Sequence, residues 1–477
     1  MGLIHKFKLN QLNIVLDVAS NSIYVLEEID YDVVDFLEVF NQPFLGELLS
    51  QNECPREILQ KLPQYSFNEV NSVYLNLREL YKDGLIFSSD NEAKESFDKP
   101  LVTPIKSMCL NVAQSCNMRC KYCFAGDGEY NQAGLMPFEI AKLAVDFLVN
   151  NSGDRQTLEI DFFGGEPLLN FDVIKQTVEY ANAIKDKTFN FTVTTNGVLL
   201  DDDKINYINE HMSNVVLSLD GRREIHDNMR SLKSGKGSYD IIIERFKRLV
   251  EKRKLTGKDY YVRGTFTNHN LDFSKDIFEL KNIGFEHLSI EPVIADLKEE
   301  YALRNLNIPA MFKEYETLAD KIYRWERRNK VDFDFFHFNI EVDDDEHSCC
   351  VAKRLKGCGS GNEYVAITPN GDIFPCHQFI GLNENEFKMG NLVDGTFNAD
   401  LKNTFASCHV FMKKECENCW AKYYCSGGCN ALNFQFEQNI FTPNKFYCIV
   451  MKKRIECALW LKAIAKIEQI NADSYAV

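Results

Sequence analysis

No apolar run in the 477-residue chain approaches the roughly 20 residues needed to cross a bilayer. The opening MGLIHKFKLN is too polar for a secretory signal, so a cytoplasmic location and no membrane partner are expected. Positive charge is also scarce: 54 Lys and Arg stand against 70 Asp and Glu, a formal net charge of -16. That balance opposes the counterion release that drives binding to phosphate backbones, which removes nucleic acid from the expected partners. What the chain has in quantity is cysteine, 16 residues. In a reducing compartment thiols are not paired as disulfides, so metal or cluster ligation is the stronger reading of so many sulfurs.

With 45% apolar residues, the chain is long enough for two or three domains, each with its own core. Residues 1–87 open with period-2 runs, HKFKLN, NIVLDVAS and SIYVLEEI, which read as short antiparallel strands. Helical spacing follows: Val33, Leu37 and Phe40 share a face, and so do Val70, Val73, Leu77 and Tyr81 before Gly84. The polar stretch SSDNEAKESFDKP places a linker at 88–104. From 105 to 310, short β-branched or aromatic runs alternate with amphipathic segments. The runs are KSMCLNV, TLEIDFFGG, FNFTVTTNG, VVLSLDG, YYVRGTF and HLSIEPV. The expected fold class is therefore α/β, with a partial (β/α)6 barrel of the TIM type and ligand groups at the carboxyl ends of its strands. Residues 311–347 read as a helical bridge. Residues 348–477, rich in Cys, Gly and Asn, read as a cluster-binding domain with little core of its own and a terminal helix.

Cys116, Cys120 and Cys123 lie in CNMRCKYCF, directly after the first of the six strand candidates. The spacing C-x3-C-x2-C with an aromatic before the last cysteine closely resembles the signature of the radical S-adenosylmethionine (radical SAM) superfamily. In that resemblance the three cysteines are catalytic: three thiolates hold a [4Fe–4S] cluster by three irons. The fourth iron takes the amino and carboxylate groups of S-adenosylmethionine, and reduction then yields a 5′-deoxyadenosyl radical. Structural zinc is the alternative, but it asks for four ligands and paired C-x2-C elements. Cys109 reads as an ordinary buried thiol.

Other segments agree with the resemblance in order and spacing. Gly164, Gly165, Glu166 and Pro167 match the family's GGEP motif, whose carbonyls and glutamate receive the cofactor's amino group while the glycines permit close approach. Thr195 and Asn196 in TTNG, and Ser218 and Asp220 in SLDG, are expected cofactor contacts. Arg263 in VRGTF is expected to pair with the methionine carboxylate, for which its planar fork is suited. The alternative is that Asn196 and Asp220 serve turns and caps. His226, Asp227 and Arg230 form an HDxxR element of structural or substrate-side character.

Downstream, Cys358, the pair Gly371 and Cys376, then Cys416, Cys419, Cys425 and Cys429 as C-x2-C-x5-C-x3-C, and finally Cys448, closely resemble the SPASM domain, an auxiliary-cluster extension of peptide-modifying radical enzymes. The resemblance assigns Cys358, Cys376 and Cys429 to one auxiliary [4Fe–4S] cluster and Cys416, Cys419, Cys425 and Cys448 to another. With the first site, that makes three clusters. The former set has three thiolates; Cys350, or its neighbour Cys349, is a candidate fourth, and an open iron able to take a substrate thiolate is the other possibility. A zinc ribbon would explain Cys416 and Cys419 but not the other five positions. Cys54, Cys408 and Cys457 have no motif. His377 is a candidate acid or base or a hydrogen-bonded surface histidine. A sulfatase-maturing enzyme would offer aspartate there, which counts against that type.

The N-terminal strands and helices resemble the winged-helix-like peptide-recognition element of peptide maturases, which adds a leader-peptide strand to a sheet edge. A scaffold that merely packs on the barrel is the competing view. The opening IHKFKLNQLNIVLDVASNSIYVLEEIDYDVV together with CHQFIG is similar to maturases of six-cysteine (SCIFF, ranthipeptide) peptides. This implies thioether crosslinking of a ribosomal precursor peptide bound through its leader, with a flavodoxin- or ferredoxin-type reductant. Oxidation of a Cys or Ser residue and carbon–carbon crosslinking are the enzymatic alternatives. An electron carrier or zinc-stabilised binding protein is the non-enzymatic one.

Overall fold

The alternating runs at the start of the chain become three antiparallel strands, β1 (Ile4–Leu9), β2 (Leu12–Asp17) and β3 (Ile23–Leu26). A computed structural model describes residues 3–39, 45–97, 100–342 and 351–474. Between β1 and β2, Asn10 and Gln11 both take positive φ, the geometry that matches a two-residue hairpin to strand twist. Period-2 alternation then divides the side chains between two cores. Ile14 and Leu16 face the main body of the protein, whereas Val15 packs with Val33, Leu37, Val70 and Tyr74 of the helices Glu28–Val39 and Phe67–Lys82. Ser66 and Glu69 form a capping box that starts the second helix. Phe40 lies outside the described residues.

The central sheet is built by β4 (Ser107–Gln114), β7 (Thr157–Gly164), β8 (Thr188–Thr195), β9 (Asn214–Ser218), β11 (Asp259–Phe266) and β12 (Leu288–Pro292), parallel and adjacent in that order. Parallel neighbours need long crossovers, supplied here by helices including Phe138–Asn150, Phe171–Asn182 and Tyr239–Thr256. All eight residues of β4 are buried, as expected of a parallel strand covered on both faces. Three short strands serve the loops: β5 (Met118–Cys120) pairs antiparallel with β10 (Arg230–Leu232), and β6 (Gly134–Leu135) pairs with β4.

The cysteine-rich C-terminal part departs from the expectation of a region with little core. Its strand β13 (Tyr364–Ile367) pairs parallel with β4 and extends the central sheet, followed antiparallel by β14 (Asp372–Phe374), β15 (Gly390–Asn391) and β16 (Thr396–Phe397). Ala366, Phe374, Cys376 and Phe379 share one core with Cys109 and Tyr130. The edge of β4, which would otherwise offer unpaired backbone groups, is thereby closed.

The polar stretch read as a linker is pinned near both of its ends. Asp90 pairs with Lys422 and accepts from the Tyr423 hydroxyl at 2.8 Å, and the Thr103 amide donates to Asn362 at 3.1 Å. The N-terminal sheet also meets the C-terminal part directly. The His5 ring stacks on Trp420 with centroids 3.6 Å apart, and His5 Nε2 lies 3.0 Å from Glu456 on the helix Lys445–Ser474. Among the described residues, no helix is long and apolar enough to cross a membrane.

Candidate functional site

At the carboxyl ends of the parallel strands lies an open cavity of about 1530 Å³, lined by Cys116, Cys120 and Cys123 and by residues from the ends of five strands. The cysteine loop leaves β4 and is held by the β5–β10 ladder, in which Arg230 stands opposite Cys120. Asn196, at the end of β8, ties the loop from the other side: its Nδ2 donates to Asn117 Oδ1 at 2.8 Å and to Cys116 Sγ at 3.7 Å. The Met118 amide also donates to Cys116 Sγ, at 3.4 Å. Burial raises all three thiols, Cys116 to about 12. Thiolate ligation here therefore needs the cation that a metal brings.

Gly164 and Gly165, expected to admit the cofactor, are required first by the fold. A Cβ at Gly164 would sit 2.2 Å from the Ala113 carbonyl, and one at Gly165 would sit 2.3 Å from that of Ser115 and 2.4 Å from that of Gly128. The Gly165 and Glu166 amides donate to the Ala113 and Ser115 carbonyls at 2.7 and 2.9 Å, clamping the motif against the cysteine loop. Glu166 is fully buried and accepts from the Thr195 hydroxyl at 2.7 Å and from the amides of Asn196 at 2.8 Å and Leu168 at 3.1 Å. Burial pushes its carboxyl up to about 7, against these donors. Pro167 begins a 3₁₀ turn behind the wall.

Thr195, Asn196, Ser218 and Arg263 all line the cavity. The Arg263 guanidinium has neither a hydrogen bond nor an ion pair among the described residues. Asp220, expected as a cofactor contact, has its carboxylate engaged by the protein. It is fully buried and absent from the cavity wall, its Oδ2 accepting from the Tyr122 hydroxyl at 2.6 Å and its Oδ1 from the Thr265 amide at 3.0 Å. Asp220 thus holds the aromatic residue between Cys120 and Cys123. The HDxxR element divides in role. His226 is buried with Nε2 2.9 Å from Ser238 Oγ, and Asp227 accepts the amides of Ser238 and Tyr239 at 2.8 and 2.9 Å, starting a helix. Arg230 reaches the cavity and donates to the Tyr122 hydroxyl at 2.9 Å.

Glu291, at the end of β12, is a wall residue that no motif marks. Burial would raise its carboxyl, but His337, Arg454 and Arg263 hold it down at about 2. Arg454, from the C-terminal helix, donates to it at 2.9 Å, and His337 Nδ1 stands 3.5 Å away. These partners are 163 and 46 positions distant in sequence, with nothing local to mark them.

The same cavity is closed from the C-terminal part by His377, Gln378 and Gln435. His377 follows Cys376, and its ring centroid lies 4.6 Å from that of Phe163. Burial, then the charge of Arg263, pushes its pKa down to about 4. Cys376 is buried, and its thiol is raised by burial and then by the neighbouring sulfurs of Cys429 and Cys358, which brings these three together. Cys349 and Cys350 lie outside the described residues.

Cys416, Cys419, Cys425 and Cys448 ring a second, largely apolar cavity of about 850 Å³. Among the described residues, no three His, Cys, Asp or Glu side chains are gathered as a single ion would gather them. Four cysteines around one cavity supply the four thiolates of a closed four-iron cluster.

Residues 110–292 match the model of the radical SAM superfamily, and residues 358–420 match that of SPASM, an iron-sulfur cluster-binding domain. An uncharacterized protein of Methanocaldococcus jannaschii is 30% identical over 301 residues, 62% of this chain and 91% of that one. A cysteine-type anaerobic sulfatase-maturating enzyme of Clostridium novyi is 25% identical over 68% of this chain and 87% of its own length. The radical SAM cyclopropyl synthase TigE of Paramaledivibacter caminithermalis is 21% identical over 85% of this chain and 86% of its own. Among solved structures, native anSMEcpe with bound AdoMet and Cp18Cys peptide superposes with a TM-score of 0.60 at 22% identity. It covers 76% of this chain and 99% of that one.

Proposed function

Because the chain belongs to the radical SAM superfamily and carries a SPASM iron–sulfur domain, we propose that it is a maturase that forms thioether crosslinks in a ribosomal precursor peptide. Its cofactors are S-adenosylmethionine, a [4Fe–4S] cluster that binds it, and auxiliary clusters. Together they supply a 5′-deoxyadenosyl radical and an electron sink.

In this reading Cys116, Cys120 and Cys123 hold the first cluster. Glu166 orders the β8 end through Thr195 and Asn196 and accepts from the cofactor's amino group. Arg263, exposed in the cavity and without an ion pair among the described residues, takes the methionine carboxylate as a fork. Cys416, Cys419, Cys425 and Cys448 hold one auxiliary cluster. Cys358, Cys376 and Cys429 hold the other, with Cys349 or Cys350 as fourth ligand or with one iron open to a substrate thiolate.

The observation that carries the proposal is the composite wall of the cavity. His377 and Gln378, next to an auxiliary cysteine, face the space that Cys116, Cys120 and Cys123 line. A peptide between them has a hydrogen removed at one carbon while one of its cysteine sulfurs closes onto that carbon. Two hydrogens leave per bridge, one of them as a proton with its electron passed on. The N-terminal sheet adds a second support. About a quarter of this chain lies outside its superposition on anSMEcpe, which is itself covered almost whole. Among the described strands β1 pairs only with β2, and an outer strand of this kind suits leader binding by strand addition. The partial barrel and the winged-helix-like domain belong to the same reading, as do a cytoplasmic setting and a flavodoxin- or ferredoxin-type reductant.

The test is anaerobic incubation of reconstituted protein, S-adenosylmethionine and reductant with cysteine-containing precursor peptides, read by mass spectrometry. Loss of two hydrogens per event with cysteines that resist alkylation supports thioethers. Loss of two hydrogens with all remaining cysteines alkylatable favours the oxidation or carbon–carbon reading, to which the sulfatase-maturating and cyclopropyl-forming relatives point.

A further inference from the structure

Among the described residues four lysines are buried, and three have a carboxylate: Lys356 with Glu363, Lys422 with Asp90 and Lys453 with Glu316. The fourth, Lys413, is 1% exposed and has no ion-pair partner among the described residues. Its ammonium donates to the Gly427 carbonyl at 2.7 Å and to Asn430 Oδ1 at 3.0 Å, both neutral. A buried ammonium without a counter-charge is costly, and buried charges are ordinarily paired or set against metal centres.

The surroundings of Lys413 supply a counter-charge of another kind. It precedes Cys416 by three positions, and its two acceptors lie in the segment that carries Cys425 and Cys429. Gly427 lines the cavity ringed by Cys416, Cys419, Cys425 and Cys448, and Asn430 directly follows Cys429. The Lys413 charge is therefore placed beside both cysteine sets. Gly427 makes room for it: a Cβ there would sit 3.0 Å from Lys413 Cδ and 3.2 Å from Nζ.

We propose that Lys413 is the fixed counter-cation shared by the two auxiliary clusters and that it raises their reduction potentials. The inference rests on the reading of both cysteine sets as cluster ligands. Reduction adds one negative charge to a cluster, so a cation held nearby in a dry site stabilises the reduced form. This suits sites that must accept an electron as product forms. Lys413 is not among the residues lining the radical cavity; it acts through the clusters.

The test uses full-length protein with Cys116, Cys120 and Cys123 replaced by alanine, so that only auxiliary clusters remain. Iron and sulfide are counted, and midpoint potentials are read by EPR-monitored redox titration, for Lys413 and for Lys413→Met, Lys413→Gln and Lys413→Arg. At equal loading, both neutral variants should shift the auxiliary potentials negative by about tenfold in the one-electron equilibrium, about 59 mV, while Lys413→Arg stays near the parent. Unchanged potentials at equal loading overturn the proposal. Loss of iron from both neutral variants with Lys413→Arg fully loaded overturns it as well, since the lysine would then serve assembly. Absence of auxiliary iron from the Lys413 parent is a different result: it refutes the cluster-ligand reading itself.

Discussion

The Tyr122 hydroxyl, in the loop between Cys120 and Cys123, donates to the buried carboxylate of Asp220 at 2.6 Å. Arg230 donates to the same hydroxyl at 2.9 Å, so a cation, a phenol and an acid from three elements fix the middle of the cysteine loop. This contact turns the loop into part of the strand-end framework.

Tyr122→Phe removes the donor to Asp220 and the acceptor of Arg230 together. Leaving a buried carboxylate oxygen unpaired costs about 2 kcal/mol, read as a lower unfolding temperature of the cluster-loaded protein. S-adenosylmethionine cleavage should fall together with it, measured as 5′-deoxyadenosine. Cleavage at the wild-type rate in Tyr122→Phe would contradict a positioning role for this contact.

Glu166 gives a pH signature. In the free protein burial raises its carboxyl to about 7, so the site takes up a proton as pH falls through that value. An amino group donating to the carboxylate favours the ionised form, so binding releases that proton. Affinity for S-adenosylmethionine should therefore weaken below about pH 7, by up to about tenfold per pH unit. Calorimetry on anaerobic protein should show this slope, and Glu166→Gln should bind more weakly with the slope gone. An equal slope in both proteins would assign it to another group.

Arg454 ties the C-terminal helix to the cavity through Glu291. Arg454→Met removes the one hydrogen-bonded cation of that carboxylate and leaves it His337 and the charge of Arg263, and breaking a buried pair of this kind costs about 3 kcal/mol. The low end of the usual range applies because the Glu291 side chain is 25% exposed to the cavity. Denaturant unfolding should register the loss. Replacing both partners, as Glu291→Gln with Arg454→Met, should recover most of it, because no buried charge is then stranded.

Much of the cavity was legible in the sequence because its parts are local. The three cysteines and the GGEP segment each occupy a few consecutive residues at the end of a strand, and alternating burial marks β7 and β8 plainly. What escaped the sequence depends on contacts between distant segments. Asp220 sits in a strand-end motif, and only the fold shows that Tyr122 takes its oxygen. The Arg454–Glu291 pair joins positions 163 residues apart. β13 was hidden among polar, glycine-rich neighbours, and its place beside β4 is decided by the need to close an edge. Lys413 looks like any lysine in a charged stretch, KKECENC, until burial is known.

The most direct measurement is 5′-deoxyadenosine production by anaerobically reconstituted protein with S-adenosylmethionine and reductant, wild type against Cys120→Ala. The wild type should cleave the cofactor. Cys120→Ala should retain the iron and sulfide of its other cysteine sets and produce no 5′-deoxyadenosine above the protein-free control. Turnover by Cys120→Ala at the wild-type rate would contradict the assignment of this cavity as the site of radical generation.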